Sequence, residues 1–168
     1  QYAPPDKGAY TLYGADISLY SGKLRSYLKK KGIPFQEQAA TYQCYKQFIV
    51  PRTGIMYIPV LQTADDQVWQ DSTEIIDQLE LIYPQRPAIP VTAKQQVAAH
   101  LIEMYADQWL LKTALHSRWH ASKASLKEIW TGFGQLLFPR YPQFIQRIIG
   151  KKVSAKFRSF MPHLGIRP

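Results

Sequence analysis

Asp71 and Ser72 stand where a helix is expected to begin, and their chemistry suits the binding of a charged small molecule. Asp is a favoured N-cap because its carboxylate accepts hydrogen bonds from the first backbone N–H groups of a helix. Those N–H groups and the positive end of the helix dipole also form a ready anion site. An ordinary N-cap with a serine beside it is the alternative interpretation, and the two roles are compatible.

Pro59 stands inside the apolar run 57–61, which has the composition of a β-strand. Proline has no N–H to donate to a sheet, so it belongs at a strand start, a sheet edge or a special turn. Only about 5% of X-Pro bonds in folded proteins are cis. A cis bond between Ile58 and Pro59 would therefore be a built feature, whereas the alternative is an ordinary edge-strand proline.

Other reactive side chains show no arrangement typical of catalysis or metal binding. Cys44 is the only cysteine, so an internal disulfide is excluded, and we expect a buried thiol in a reducing compartment, cytoplasmic or mitochondrial. The histidines have no cysteine or carboxylate at ligand spacing, and no metal site is predicted; they are His100, His116, His120 and His163. The tryptophans of the second half are predicted to lie in a core; they are Trp109, Trp119 and Trp130.

The elements that position these residues follow from hydrophobic periodicity and from helix and turn signals. Strands are predicted at 10–13, 35–39, 57–61 and 67–70, and helices at 21–31, 42–48 and 71–83. Ser21 is the predicted N-cap of the first helix, and Pro51 the predicted end of the second. The order β-α-β-α-β-β-α predicts one compact α/β unit.

Residues 84–93 contain three prolines and no helical period, which indicates a linker. Beyond it the pattern is helical, with amphipathic segments near 97–111, 122–137 and 143–160. We therefore predict an α/β domain over 1–83, a linker over 84–93 and a partial all-helical domain over 94–168.

Charge is distributed unevenly along the 168 residues. Residues 1–107 carry 10 Lys and Arg against 11 Asp and Glu, whereas residues 108–168 carry 11 against Glu128 alone. A basic second half attracts phosphates, anionic lipid headgroups or an acidic protein, and a solvated helical face is the alternative. We find no nucleic-acid motif, no secretory signal and no apolar run of the roughly 18 residues that span a bilayer. Because the chain lacks an initiator Met, it is expected to be processed or a fragment.

This organisation resembles the glutathione S-transferase superfamily over about residues 10–120. The resemblance implies a thioredoxin-like domain followed by helices. The segments that carry it occur in the family's order and at its separations: 12–14, Ser18, 23–25, 31–35, 58–61, 70–72, 75–76 and 79–80.

The resemblance implies a binding site for glutathione, as ligand or co-substrate, and no metal. In the family, a cis-proline at the position of Pro59 turns the preceding backbone, here Ile58, toward the cysteinyl part of glutathione. Asp71 and Ser72 match the helix start that holds the γ-glutamyl carboxylate and amine.

The resemblance also implies a catalytic hydroxyl and an acceptor pocket. Ser18 matches the catalytic position of several family classes, where a hydroxyl stabilises the thiolate that attacks an electrophile. Tyr20 is an alternative hydroxyl donor, and a plain turn serine is the non-catalytic interpretation of Ser18. Tyr105, Trp109 and Arg118 match the early helices that line the family's acceptor pocket, and Tyr20 is a further candidate for that pocket.

The sequence departs from the family after residue 120, since its helical part is shorter. The chain is then either part of a longer transferase or a shortened module whose missing helices are replaced by a partner. The first interpretation predicts a protein that binds glutathione and conjugates or exchanges its thiol, commonly as a homodimer. The second predicts a non-catalytic subunit of a larger, for example mitochondrial, assembly formed through apolar helical faces.

Overall fold

The structure is a computed structural model that describes residues 10–120 and 122–166. The chain divides into two compact units between Ala88 and Ile89. This division lies inside the predicted linker 84–93, and the finer bounds of the two domains stay a prediction. In the described part of the chain, no helix has both the length and the apolar character to cross a membrane.

The first unit is built on a four-stranded mixed sheet with the strand order β2-β1-β3-β4. β1 pairs in parallel with β2 and antiparallel with β3, and β3 pairs antiparallel with β4. The parallel pair requires a crossover, which the first helix provides. The strands are β1 Tyr10–Gly14, β2 Phe35–Ala39, β3 Val60–Gln62 and β4 Val68–Gln70.

The helices of this unit complete the predicted β-α-β-α-β-β-α order, which the structure confirms. They are α1 Leu19–Lys31, α2 Tyr42–Cys44, a π-helical segment Tyr45–Ile49, α3 Val50–Thr53 and α4 Ser72–Ile82. The prediction that Pro51 ends the second helix was wrong, because the chain stays helical to Gly54, a left-handed C-cap with φ 77°. Pro51 directly follows the π-helical segment Tyr45–Ile49 and Val50, and the helical backbone continues through it without a break.

The sheet has an apolar layer on each face. One face contributes Leu12 and Leu61 to the core shared with α1 and α4. On the other face, the Tyr13 ring packs against the Phe48 ring, with centroids 4.5 Å apart and the planes tilted by 35°. Strand residues alternate between the two layers, which is the period-two pattern of a sheet covered on both sides. The core shared with the helices comprises Leu12, Leu24, Tyr27, Leu28, Ile33, Leu61, Ile75 and Leu79.

A buried lysine closes the end of α4. The Lys31 side chain is only 2% exposed, and its Nζ lies 2.8 Å from Oε1 of Glu80. The same ammonium donates to the backbone carbonyls of Tyr83, Gln85 and Arg86. A buried charge requires such partners, and here they tie residues 83–86 to α1.

The second unit is helical. Its elements are α5 Ala93–Met104, a π-helical segment Tyr105–Leu110, α6 Leu111–Trp119, α7 Lys123–Leu137, α8 Gln143–Ser159 and a 3₁₀ turn Met161–Leu164. The Ser122 side chain accepts a hydrogen bond from Ser125 N and so caps α7. Pro139 and Pro142 separate α7 from α8, as the sequence predicts.

The apolar face predicted for the first of these helices is exposed. Val97, Leu101 and Tyr105 expose 54–61% of their surface, and Trp109, predicted to lie in a core, exposes 60%. The prediction for Trp109 was therefore wrong, whereas Trp119 is 2% exposed and does lie in a core. Periodicity shows that residues share a helix face, but it carries no information on whether another element covers that face.

Two glycines allow α7 and α8 to pack at close range. A Cβ built on Gly150 would overlap the carbonyl oxygen of Trp130, and one built on Gly134 would overlap that of Gln146. Both overlaps are with backbone atoms, which cannot move aside by a change of rotamer as a side chain could. These helices therefore require glycine at both positions.

We expect Gly150→Ala to lower the free energy of unfolding by about 3 kcal/mol, the upper range for overpacking a close contact. Gly22→Ala is the matched control, since Gly22 lies in α1 and an added Cβ there meets nothing within 4 Å. The free energy of unfolding of Gly22→Ala is expected to rise by about 0.5–1 kcal/mol, because alanine has a higher helix propensity than glycine. Urea unfolding followed by circular dichroism measures both, and a Gly150→Ala midpoint equal to that of the parent would contradict the packing described.

Candidate functional site

Strand register brings three separate segments to one edge of the sheet. Val60, the first residue of β3, pairs with Tyr13 on one side and with Gln70 on the other. The end of β1, the start of β3 and the end of β4 therefore lie side by side. The chain leaves this edge after Gly14 toward α1 and after Gln70 toward α4, and it enters β3 there through the Ile58–Pro59 peptide.

Ser18 is the N-cap of α1. Its Oγ accepts a hydrogen bond from Ser21 N at 3.2 Å, and its backbone N donates to the Ala15 carbonyl at 3.1 Å. The prediction that Ser21 caps this helix was wrong by one turn, because both residues are serines at the strand-to-helix junction. A hydroxyl that accepts one hydrogen bond keeps its own proton to donate, so capping leaves Ser18 able to donate to a ligand.

Ser21 has a different task, which is to hold the first turn of α1 against the end of β1. Its side chain is fully buried, and its Oγ accepts from Ala15 N at 3.3 Å. A Cβ on Gly14 would approach that Oγ to 2.9 Å, so glycine permits this contact. The loop 15–17 and Ser18 are thereby fixed relative to the sheet.

The Ile58–Pro59 peptide bond is cis. Pro59 is buried and Ile58 half-buried at the entrance to β3. The side chain of Gln70 donates from Nε2 to the carbonyl of Tyr57 at 2.8 Å, which ties the approach to β3 to the end of β4. The three residues before Ile58 are apolar and exposed; they are Ile55, Met56 and Tyr57.

Asp71 caps α4 with an unusual backbone conformation. Its Oδ1 accepts from Thr73 N at 2.8 Å and Glu74 N at 3.4 Å, while its φ is +74°. A non-glycine residue at such a φ raises the energy of the fold by about 1–3 kcal/mol, and such residues cluster at ligand sites. Ser72, which begins α4, is 3% exposed.

The electrostatics of this edge favour an anion. Both α1 and α4 begin here, so two helix N-termini contribute partial positive charge. Nζ of Lys23 donates to Oγ1 of Thr73 at 2.9 Å, which joins the first turns of the two helices and adds a cation. Sequence reasoning assigned no role to Lys23 or Gln70, because the pairs they form are about 50 and 13 residues apart in the chain.

The predicted acceptor residues fall into different units. Tyr20 lies in the first turn of α1, in the first unit. In the second unit, Tyr105 and Trp109 lie on one π-helical segment and are exposed. The cation over the Trp109 ring is Lys112, with Nζ 5.2 Å from the centroid. Arg118 lies on α6, half-buried, and burial lowers its pKa.

Two alternatives for reactive chemistry find no support in the described residues. Burial raises the pKa of Cys44 to about 11, so its thiol is protonated near neutral pH and is a poor nucleophile. Residues 10–120 and 122–166 contain no group of three or more His, Cys, Asp or Glu side chains arranged to hold a metal ion.

Comparison with known proteins identifies the fold. Residues 12–87 match the family model of the glutathione S-transferase N-terminal domain. A glutathione S-transferase from Methylobacterium radiotolerans, solved with glutathione sulfonate, is similar over 94% of this chain and 87% of its own, with 21% identity and a TM-score of 0.58. A glutathione S-transferase from Methylobacillus flagellatus, solved with glutathione bound, is 17% identical over 88% of this chain and 69% of its own, with a TM-score of 0.58.

A glutathione S-transferase from Rhodospirillum rubrum is 18% identical with a TM-score of 0.58, and this chain spans 63% of its length. No curated protein sequence matches the chain. The prediction of a thioredoxin-like domain followed by helices is confirmed. Residues 12–87 are similar to the N-terminal domain of glutathione S-transferases, and the chain as a whole has the fold of these proteins.

Proposed function

We propose that the first unit binds glutathione at the sheet edge formed by Ser18, Ile58 and Asp71. The observation that supports this proposal is the double pairing of Val60, because it sets Tyr13, Val60 and Gln70 side by side at the strand ends from which the chain continues to these positions. Structural neighbours with bound glutathione or its sulfonate support the choice of ligand.

The γ-glutamyl and cysteinyl parts of glutathione each have a chemical counterpart at this edge. The γ-glutamyl carboxylate is placed at Ser72, the first residue of α4, where the positive end of the helix dipole favours an anion. The γ-glutamyl ammonium is placed at the Asp71 carboxylate. A carboxylate has about four acceptor positions, and the two backbone hydrogen bonds to Oδ1 use only some of them. The peptide backbone of glutathione pairs with the main chain of Ile58 in the manner of an added strand.

The reaction we propose is attack of the glutathione thiolate on an electrophile. Ser18 donates its hydroxyl proton in a hydrogen bond to the sulfur, which stabilises the thiolate relative to the thiol and lowers its pKa. The N-terminus of α1 acts in the same direction. The thiolate then forms a bond to an electrophilic carbon, whose leaving group takes the bonding electron pair, or to one sulfur of a mixed disulfide, whose other sulfur leaves as a thiolate.

Tyr20, in the first turn of α1, belongs to this proposal as a side chain of the first unit that contacts the acceptor.

A second candidate function is that of a non-catalytic subunit. The observation that favours it is the row Val97, Leu101, Tyr105 and Trp109, spaced four residues apart along one helix and each more than half exposed. Exposed apolar surface of this kind marks a contact with another chain. Sedimentation of the purified chain tests this, because a monodisperse monomer that binds glutathione would count against it.

We expect Asp71→Asn to weaken glutathione binding about 10- to 100-fold while leaving the thermal midpoint unchanged. Asn is as good a helix N-cap as Asp, and it also tolerates positive φ. The substitution therefore removes only the negative charge that faces the ligand ammonium. A charge-assisted hydrogen bond accounts for the size of this effect. Titration calorimetry measures the affinity.

Asp65→Ala is the control for the loss of a negative charge, because Asp65 lies in the turn between β3 and β4, at the other end of these strands. Its affinity for glutathione is expected to equal that of the parent. Retention of full affinity by Asp71→Asn would remove Asp71 from the site, and absence of binding by the folded parent would overturn the proposed function.

We expect Ser18→Ala to raise the pKa of the bound glutathione thiol, so that turnover falls more at pH 6.5 than at pH 9, with glutathione affinity nearly unchanged. The assay is the conjugation of an activated aryl chloride, chlorodinitrobenzene, followed across pH. Ser18→Thr keeps both hydroxyl and cap and is expected to restore the parent profile.

Ser122→Ala separates the loss of a helix cap from the loss of a hydroxyl donor. It removes the cap of α7 at a similar cost of about 1 kcal/mol, and the pH profile should not move. Equal profiles for Ser18→Ala and the parent would exclude Ser18 from thiol activation.

A further inference from the structure

The orientation of α8 is fixed by its packing on α7. Its buried residues are Gln146, Gly150 and Ser154, which follow one another at intervals of four and form one stripe. At Gly150 the two backbones lie so close that any larger residue of α8 turned toward α7 would overlap it, so the helix cannot rotate about its axis. The opposite side of the helix is therefore held in a single outward orientation.

The outward side, which we call the α8 outer face, carries an apolar stripe. Phe144 and Ile148 lie one turn apart and expose 66% and 56% of their surface, and Ala155 continues the stripe. With 1.5 Å of rise per residue, the 17 residues of α8 span about 25 Å. Two large apolar side chains thus face outward, one turn apart, in the N-terminal half of the helix.

Basic residues flank this stripe on both sides. At 100° per residue, Arg147, Lys151 and Arg158 fall on one side, and Lys152 and Lys156 on the other. α8 contains no acidic residue, and Glu128 is the only acid between residues 108 and 168.

Two of these cations are anchored along α7. Nε of Arg147 donates to Oγ1 of Thr131 at 3.2 Å, and Nζ of Lys151 lies 5.4 Å from the centroid of the Trp130 ring. Lys152 and Lys156 lie on the far flank and are exposed.

We propose that the α8 outer face binds the anionic headgroups of a lipid bilayer, with Phe144 and Ile148 inserted at the boundary between headgroups and acyl chains. An apolar stripe with Lys and Arg on both flanks is the pattern of a helix that lies in the membrane interface. In an anionic bilayer, the acyl chains would contact the apolar stripe, and the negative headgroups would contact the basic residues on both flanks. A nucleic acid would match the cations but would give the stripe no apolar partner. The proposal is independent of glutathione binding.

The test is co-sedimentation of the full chain with vesicles of phosphatidylcholine alone and with vesicles that contain about one quarter phosphatidylglycerol. Binding is expected only to the second kind and should weaken with added salt. Lys152→Gln with Lys156→Gln is expected to lower the partition coefficient about 25-fold, since each basic residue near an anionic surface contributes roughly fivefold. Phe144→Ala is expected to lower it about tenfold, through lost apolar burial.

Lys29→Gln with Lys30→Gln makes the same change in charge on the exposed last turn of α1 and should bind as the parent does. Because all the altered side chains are exposed, unchanged circular dichroism spectra are expected. The proposal would be overturned if the partition coefficient of the variant at Lys152 and Lys156 equalled that of the control variant at Lys29 and Lys30. Equal binding to both kinds of vesicle would also overturn the proposal. A chain that binds duplex DNA or polyglutamate but does not sediment with either kind of vesicle would overturn it as well.

Discussion

The candidate site depends on the pairing of a strand only three residues long. β3 lies between β1 and β4, and its first residue, Val60, sets the register with both neighbours. A slip of one residue would exchange the two faces of β3 and so remove Leu61 from the core that it shares with α1 and α4. It would also move the Ile58–Pro59 peptide away from the starts of α1 and α4. The apolar cores on the two faces therefore fix the geometry of the edge.

The start of α1 shows how one local structure serves both fold and chemistry. Ser18 caps the helix, and Ser21 one turn later seals it against the strand, where Gly14 gives the space. Ser18 is thus held by two backbone contacts, because its Oγ accepts from Ser21 N and its own N donates to the Ala15 carbonyl. Lys23 on the same helix reaches Thr73 at the start of α4, so the two N-termini are joined by a side chain and not only by the sheet.

The fold of the first half was predictable because its signals are local and agree with one another. Turn residues, strand composition and the Asp71 cap each indicate an element, and only one α/β order fits them. The site was less accessible to prediction. Ser18 and Ser21 are both good caps, and only the contact of Ser21 with Ala15 and Gly14 decides between them.

The second half shows a different limit of sequence reasoning. Helix periodicity grouped Val97, Leu101 and Tyr105 correctly on one face, but their exposure depends on what covers that face. The close contact of Gly134 and Gly150 is likewise a pairing between helices, which the spacing within either helix does not reveal.

The environment of Lys31 determines where the first unit can be cut. Its ammonium is held by Glu80 and by carbonyls that extend to Arg86, beyond the end of α4. Glu80 in turn accepts a hydrogen bond from Ala88 N. A fragment that ends at residue 83 would keep the whole sheet and all four helices, yet it would remove two of the acceptors that neutralise a buried cation. A fragment that ends at residue 88 keeps them. The contacts of the first unit therefore extend past the last turn of α4, because the partners of Lys31 and Glu80 reach to Arg86 and Ala88.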